Sequence, residues 1–228
     1  SLSKIGNIKV KLHRVPEGNI KQVTIKRIND KWFAFVITDV IKALEHGDKV
    51  LGIDLGINHY LVDSEGNKVE HPKFYEKTQS RLKSAHKVLS KKKKGSRNRL
   101  KAKKSLNKIY EKINNQRHDF LHKTSTNLIK ECKIIVVEDL NIKGMMKQKY
   151  FNAKNIADSS WAKFIQMLEY KAENSGVQII KVNPRYTTKT CSNCGHIQDM
   201  PLWIRTYKCK NCLFEIDRDE NASINIKN

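Results

Sequence analysis

The sequence of 228 residues lacks the two features that would direct it into or across a membrane. It contains no apolar run of about 20 residues, which is the length that a membrane-spanning helix needs. Its first residues also lack the basic and apolar pattern of a secretory signal peptide. We therefore expect a cytoplasmic protein with no membrane partner.

Acidic residues are scarce, with 23 Asp and Glu against 45 Lys and Arg, so the formal net charge is +22. Residues 77–110 contain no acidic residue at all and fourteen Lys and Arg. Apolar residues in and beyond this stretch recur at steps of three, four or seven, which predicts two helices. Gly95 and Ser96 separate them, and Ser96 is a candidate N-cap of the second helix. A helical hairpin over about residues 74–130 is the expected structure.

The tip of this hairpin, residues 91–104, is the most basic part of the chain. A charge run is often only a solvated helix face, but the complete lack of balancing acids favours binding to a nucleic-acid backbone. Residues 91–104 contain no aromatic side chain, so we do not expect base stacking there. The predicted nucleic-acid contacts are Lys91, Lys92, Lys93, Lys94, Arg97, Arg99, Lys101, Lys103, Lys104 and Arg117.

Cysteine is also scarce, and four of the five cysteines form two Cys-x-x-Cys pairs near the C-terminus. Each pair can offer two sulfurs to one ion, and four thiolates make a tetrahedral structural Zn²⁺ site. Two disulfides are the alternative, which a cytoplasmic location disfavours. The fifth cysteine, Cys132, adjoins an apolar strand and is expected to be a core thiol. The predicted zinc ligands are Cys191, Cys194, Cys209 and Cys212.

Acidic residues follow two of the predicted strands and the second cysteine pair. Asp54 comes directly after the short apolar strand predicted over residues 49–53, and either a turn or a metal site could explain it. Glu138 follows the β-branched run 134–137 and is favoured over Asp139, because open α/β sheets keep their sites at the carboxyl ends of strands. Asp217 or Asp219 begins the last predicted helix, and the residue pattern leaves both open.

Three such carboxylates can hold two divalent ions, and two ions can activate a water and stabilise the leaving oxygen of a phosphodiester. Oxygen ligands favour Mg²⁺ or Mn²⁺. The order Asp, Glu, Asp on a β-β-β-α-β-α pattern describes a ribonuclease H-like nuclease. The predicted fold class is therefore α/β, with a helical hairpin insertion, an N-terminal β remnant and an inserted zinc ribbon.

Five motifs give the chain a resemblance to the TnpB (OrfB) family of insertion-sequence proteins, relatives of compact type V CRISPR nucleases. They are G-I-D-L-G-I-N (52–58), N-N-Q-R-H-D-F-L-H-K (114–123), I-V-V-E-D-L-N-I-K-G-M (135–145), Y-T-T-K-T-C-S-N-C-G-H (186–196) and the C-x-x-C…D-R-D-E-N-A-S-I-N-I segment (209–226). The resemblance implies a RuvC-type nuclease fold with Asp54, Glu138 and Asp219 as catalytic Mg²⁺ ligands. It selects Asp219 over Asp217, and it agrees with the four zinc cysteines.

The resemblance also implies an RNA-guided DNA endonuclease in a bacterial or archaeal cytoplasm, with guide RNA and target DNA as partners. A transposase encoded by the same element is a further candidate partner. Two alternatives remain. The first is a catalytically idle relative that acts as a guided repressor or transposition accessory, and the second is a DDE-type transposase. Leu213 and Ser223 depart from the family's usual Gly and Ala at these positions.

The expected domains are a partial β-barrel over residues 1–48, a nuclease core over residues 49–186 and 216–228, and a zinc ribbon over residues 187–215. Family members carry a longer front part, and we expect only the last strands of its barrel here, over residues 8–12, 20–27 and 32–37. The sequence further predicts a polar loop over residues 145–156 and a helix that Ser160 caps and Gly176 ends.

Overall fold

The computed structural model describes residues 6–147, 153–201 and 203–228. The chain divides into two compact units, Ser1–Lys42 and Ala43–Asn228. Within the described residues, none of the helices combines the length and the apolar character needed to cross a bilayer.

The first unit is built on an antiparallel hairpin of β1 (Ile20–Ile28) and β2 (Lys31–Thr38). Its turn contains Asn29 with a φ of 54°, a conformation that asparagine tolerates better than most residues. The carboxylate of Asp39 closes the open end by accepting hydrogen bonds from the backbone and side-chain nitrogens of Asn19 at 2.8 and 2.9 Å. Residues 8–12 form no strand, so that part of the expectation is wrong. The partial β-barrel remains a prediction.

The second unit is organised around a five-stranded mixed sheet with the strand order β5-β4-β3-β6-β7. The first three strands form an antiparallel meander, and β6 and β7 extend it in parallel. The strands are β3 (Lys49–Leu55), β4 (His59–Asp63), β5 (Lys68–Glu70), β6 (Cys132–Glu138) and β7 (Gln178–Val182).

Strands β3 and β6 contribute the most deeply buried strand residues of the core. Leu51 and Ile53 of β3, and Ile135 and Val137 of β6, have no exposed surface. Apolar β-branched residues suit such a position, because a strand covered on both faces cannot offer a polar side to water. Cys132 lies in the same core, as expected for an inert thiol.

The predicted helical hairpin is present as α1 (Phe74–Ser90) and α2 (Arg97–Glu131). The helices meet through a small core of their own, made by Leu82, Leu106, Ile109 and Ile113. The cap prediction is confirmed, because the hydroxyl of Ser96 accepts a hydrogen bond from the backbone N–H of Arg99 at 3.2 Å.

Three helices follow β6: α3 (Ile142–Lys147), α4 (Ala153–Ser159) and α5 (Trp161–Ser175). The polar loop predicted over residues 145–156 is therefore wrong at both ends, and residues 148–152 lie outside the described part. Ser160 precedes α5 but makes no side-chain cap, because its backbone is left-handed, with a φ of 54°, and an N-cap needs an extended one. Its hydroxyl donates to the carbonyl of Ala157 at 3.1 Å. Gly176 ends α5 in the left-handed conformation, as predicted.

The last part of the chain contains a short hairpin, β8 (Thr206–Lys208) and β9 (Glu215–Asp217), which leads directly into α6 (Arg218–Lys227). Helix α6 packs against β3 at Gly52. A Cβ atom at residue 52 would collide with the carbonyl oxygen of Ser223 and would lie 2.6 Å from the backbone nitrogen of Lys227. Glycine is therefore required at this position for α6 to approach the sheet.

We predict that Gly52→Ala lowers the free energy of unfolding by about 1–3 kcal/mol, because backbone atoms of α6 cannot move aside as a flexible side chain can. Chemical denaturation of both proteins measures the effect. Gly95→Ala is the matched control, since residue 95 has a φ of 81° but open space around its Cβ position. A cost below about 1 kcal/mol at residue 52 would contradict the close packing, whatever the backbone strain costs at residue 95.

Candidate active site and zinc centre

The three acids predicted to bind Mg²⁺ lie on adjacent elements of the second unit. Asp54 is the sixth residue of β3, and Glu138 is the last residue of the parallel neighbour β6. The pairing of Ile53 with Val137 places these acids at the same end of the two strands. Asp219 is the second residue of α6, which packs on β3. The fold thus gathers the three acids at the carboxyl ends of its central strands.

Each of the two strand acids has a raised pKa. Burial is the main cause at Asp54, the charges of Glu138 and Asp219 add to it, and together they raise the pKa of Asp54 to about 8. Burial also raises the pKa of Glu138, although a hydrogen bond from Thr187 opposes that shift. Buried like charges destabilise each other's ionised forms. A bound cation would remove this cost.

Asp219 is held by two arginines. Its Oδ1 accepts hydrogen bonds from Nε and Nη2 of Arg218 at 3.1 and 2.9 Å. Its Oδ2 lies 3.3 Å from Nη1 of Arg205, a side chain that is 47% exposed. Neither arginine was assigned a role from the sequence, although Arg218 stands between two candidate acids in the D-R-D motif. These guanidinium groups balance part of the negative charge of the site.

Asp217 has a different role from Asp219 in this structure. Its Oδ1 accepts hydrogen bonds from the backbone N–H groups of Asp219 and Glu220 at 2.9 and 3.3 Å, which caps α6. Its Oδ2 pairs with Nζ of Lys68 at 2.9 Å. Burial raises the pKa of Asp217, but these hydrogen bonds more than offset it, so the net shift is downward. Its hydrogen bonds suit a helix cap and leave Asp219 as the better candidate ligand.

Thr187 is a further residue of the site that was not predicted from the sequence. Its hydroxyl donates to Oε1 of Glu138 at 2.5 Å, and its side chain is buried. Helix α6 holds this residue in place, because Nδ2 of Asn225 donates to the carbonyl oxygen of Thr187 at 2.8 Å. Only its place in the Y-T-T-K-T-C motif could have drawn attention to it. Thr187 fixes the orientation of the Glu138 carboxylate.

The carboxylate oxygens of the three acids fit a hard divalent cation, because such cations prefer oxygen ligands. A cation would also relieve the repulsion between the negative charges. The three acids nevertheless do not form a compact ligand cluster. Among the described residues, the four cysteines are the only group of three or more His, Cys, Asp or Glu side chains close enough to share one ion. In this arrangement the carboxylate of Asp219 is paired with Arg205 and Arg218.

The four predicted zinc cysteines come together in the ribbon. All four Sγ atoms lie within 4.8 Å of one another, with Cys191–Cys212 at 3.8 Å and Cys194–Cys209 at 3.6 Å. Zn–S bonds of about 2.3 Å in a tetrahedron require sulfurs about 3.8 Å apart, so the geometry fits zinc. All four thiols are free, and these separations far exceed the S–S bond of about 2.05 Å. The disulfide alternative is therefore wrong for this structure.

The basic residues predicted to contact nucleic acid fall into two groups. Lys91, Lys92, Lys93 and Lys94 lie exposed at the hairpin tip, and Arg97, Lys101, Lys103 and Lys104 are exposed on α2. Arg99 instead donates to the carbonyl oxygens of Leu89 and Lys92 at 2.9 and 3.1 Å, which fixes the end of α1. Arg117 pairs with Asp158 at 2.6 Å and is only 22% exposed. These two arginines have evident structural partners.

Two family models match the chain. One, OrfB_IS605, described as "Probable transposase", matches residues 33–149. The other, described as "Cas12f1-like, TNB domain", matches residues 161–226 and so covers the ribbon and α6.

Curated relatives resemble nearly the whole chain. A Streptomyces pristinaespiralis protein named "Putative RNA-guided DNA endonuclease" is 34% identical over 93% of this chain and 54% of its own length. "Putative RNA-guided DNA endonuclease InsQ" of Escherichia coli K12 is 29% identical over 99% of this chain and 60% of its own. "TnpB-like protein L79" of Acanthamoeba polyphaga mimivirus is 28% identical over 90% and 42%. The chain spans about half the length of these relatives.

Two solved structures share the fold. The chain matches the "Cas12f1-sgRNA-target DNA complex" with a TM-score of 0.65 at 23% identity, over 90% of this chain and 45% of that one. It matches the "CRISPR-Cas12f Ternary Complex" with a TM-score of 0.61 at 22% identity, over 90% and 44%. The predicted RuvC-like α/β fold is confirmed.

The raised pKa of Asp54 predicts a pH-dependent loss of stability in protein stripped of divalent ions. The unfolded carboxyl ionises near its ordinary pKa, whereas the folded one keeps its proton up to about pH 8. Stability should therefore fall as the pH rises from 5 to 8, by up to about 1.4 kcal/mol per pH unit. Asp54→Asn should remove this part of the slope, as measured by urea denaturation in chelator.

Asp217→Asn is the control for that measurement. The pKa of Asp217 is lowered, so its own contribution is complete above pH 5. Its replacement should change the slope between pH 5 and 8 only slightly, because its charge contributes less to the raised pKa of Asp54 than burial, Glu138 and Asp219 do. Equal slopes in the wild type and in Asp54→Asn would show that Asp54 ionises normally in the folded protein.

Proposed function

Because this chain belongs to the OrfB_IS605 family, whose model matches just over half of it, we propose that it forms the nuclease part of an RNA-guided, metal-dependent DNA endonuclease associated with a transposon. One observation carries the proposal. Asp54, Glu138 and Asp219 lie at the carboxyl ends of the central strands, where burial first, and then the charges of the other two acids, raise the pKa of Asp54 to about 8. Such perturbed acids are typical of active sites.

We propose that Asp54, Glu138 and Asp219 hold two Mg²⁺ or Mn²⁺ ions through their carboxylate oxygens. When bound, such ions supply an activated water and stabilise the charge that develops on a phosphodiester. Thr187 keeps the Glu138 carboxylate in one orientation, so that less ordering is needed when a cation binds. Arg205 is half exposed beside Asp219, and its guanidinium can pair with a phosphate oxygen once it leaves the carboxylate.

The cysteine cluster is proposed to hold one structural Zn²⁺. A small apolar cluster that includes Tyr207, Met200 and Phe214 surrounds it, and this cluster is too small to order the ribbon by burial alone. Four thiolates without an open position fit a structural zinc site better than a catalytic one. Zinc would thus contribute directly to the folding of the ribbon, residues 187–215.

Guide RNA and target DNA are the proposed partners. Lys91, Lys92, Lys93 and Lys94 are exposed and belong to a sequence stretch, residues 77–110, that contains no Asp or Glu, which suits the phosphate backbone of either polymer. One of the solved structures that share the fold is a complex of Cas12f1 with sgRNA and target DNA. Because the chain spans about half of its curated relatives, the guided activity is proposed for this chain together with the remaining part found in those relatives.

Matched Asp→Asn variants test the catalytic proposal. Asp219→Asn should abolish Mg²⁺-dependent DNA cleavage, because an amide is a poor ligand for Mg²⁺. Asp217→Asn should keep most of the activity, because asparagine caps a helix as well as aspartate does. Cleavage is measured with guide RNA and, in a second arm, with the N-terminal part of a relative added.

The outcomes of that experiment separate the alternatives. The reverse ranking of the two variants would move the third ligand to Asp217. Target binding without cleavage in both arms would replace the nuclease proposal with that of a guided repressor. Joining of DNA ends instead of hydrolysis would favour a transposase, the description attached to the family model.

The basic hairpin tip should dominate the salt dependence of nucleic-acid binding. We predict that changing Lys91, Lys92, Lys93 and Lys94 to Gln lowers the slope of log affinity against log salt by up to about 0.9 for each duplex phosphate that is no longer neutralised. Fluorescence anisotropy at several salt concentrations gives the slope. The control variant removes the same charge outside the hairpin by changing four other lysines to Gln, namely Lys9, Lys11, Lys26 and Lys31. If both variants lower the slope equally, the slope depends only on net charge.

A further inference from the structure

The two zinc knuckles share a feature that the cysteine spacing does not require. Each has asparagine directly before its second cysteine, in the sequences C-S-N-C (191–194) and C-K-N-C (209–212). Asparagine carries an amide with two donor hydrogens, which can reach a sulfur that accepts weakly. Neither asparagine can be a zinc ligand in a site that four thiolates complete.

The two asparagines form crossed hydrogen bonds between the knuckles. Nδ2 of Asn193 donates to Sγ of Cys212 at 3.6 Å, and Nδ2 of Asn211 donates to Sγ of Cys194, also at 3.6 Å. Each asparagine therefore reaches the cysteine of the opposite knuckle and not the cysteine beside it. The arrangement has approximate twofold symmetry, with equivalent residues in equivalent contacts.

The two sulfurs that accept these hydrogen bonds belong to the two more solvent-exposed cysteines of the cluster. Cys191 and Cys209 are buried, at 1% and 0% exposure, next to the buried ring of Tyr207. Cys194 is exposed and Cys212 is partly exposed. The backbone N–H groups of His196 and Phe214 also donate to these outer sulfurs, but each belongs to the same knuckle as the sulfur it contacts. The asparagines add contacts from the side chain of one knuckle to a sulfur of the other. The side chain of Gln198 also links the two parts of the ribbon, but through the backbone of Lys208 and Lys210.

We propose that Asn193 and Asn211 act as a reciprocal pair that holds the two outer thiolates on the zinc ion and strengthens zinc binding by the ribbon. A zinc ion with four thiolates carries a net charge of about −2, and N–H donors spread that charge and lower its cost. The crossed contacts also resist separation of the knuckles, which must precede release of the ion. The inference rests on the zinc site proposed above.

Zinc transfer to a chromogenic chelator tests the inference on the full chain. The double variant Asn193→Ala, Asn211→Ala should weaken zinc binding about 10–100-fold, the range typical for groups that support metal ligands. Each single variant should show a smaller loss. Asn193→Asp with Asn211→Asp should weaken binding further, because a carboxylate removes the donor and repels the thiolate.

Ser192→Ala is the matched control, since it truncates the neighbouring side chain of the same knuckle and should leave zinc affinity unchanged. Substitution with Co²⁺ then checks the ligand set, because thiolate-to-cobalt absorption bands in the double variant show that four sulfurs still bind in a folded ribbon. An affinity within about twofold of wild type, with those bands present, would overturn the asparagine proposal, since supporting groups typically contribute more than that. Wild-type protein without bound zinc would instead overturn the zinc site itself.

Discussion

The contact between α6 and Gly52 is the constraint on which the candidate site depends. Asp54 and Glu138 belong to strands whose relative position follows from the sheet, but Asp219 is 165 residues away from Asp54 in the sequence. It reaches the other two acids only because α6 packs tightly on β3, where a Cβ at residue 52 would meet the backbone of the helix. The hydroxyl of Ser223 reinforces this packing by donating to the carbonyl of Asp63 at 2.8 Å.

The charge balance of the site follows from the same packing. The negative charges of three acids at the edge of an apolar core repel one another. Two features of the structure reduce this repulsion. Asp54 is protonated over most of the neutral range, because burial and its neighbours raise its pKa to about 8. Asp219 stays paired with Arg205 and Arg218. A divalent ion would therefore replace a proton at one acid and guanidinium contacts at another.

The sequence predicted the parts of the protein that depend on local pattern. Apolar β-branched runs indicated the central strands, helical spacing indicated the basic hairpin, and the paired cysteines indicated the ribbon, because each signal lies within a few neighbouring residues. The positions of Asp54 and Glu138 at strand ends followed from the same patterns. The α3 and α4 helices were missed, since Gly144 and a polar composition favour a loop over residues 145–156.

Contacts between distant residues could not be predicted from the sequence. Nothing in the local sequence shows that Thr187 orients Glu138, which is 49 residues away, or that Arg117 turns inward to Asp158 when the basic residues at the hairpin tip face water. Ser160 shows the same limit, because its residue type suits an N-cap but its left-handed backbone prevents one. Residue type and spacing identify candidates, and tertiary packing then decides which partner each side chain meets.

Hydrogen bonds connect the zinc ribbon to the candidate active site. In the β8–β9 hairpin Thr206 pairs with Asp217, and the N–H of Arg218 donates to the carbonyl of Arg205 at 2.7 Å. This backbone contact places Arg205 beside Asp219. The sequence between these two residues contains the second cysteine pair of the ribbon. Nδ2 of Asn221 in α6 also donates to the carbonyl of Thr190, directly before Cys191, at 2.8 Å. These contacts connect the ribbon to Asp219, so the zinc ion proposed for the four cysteines would help to position this acid of the candidate site.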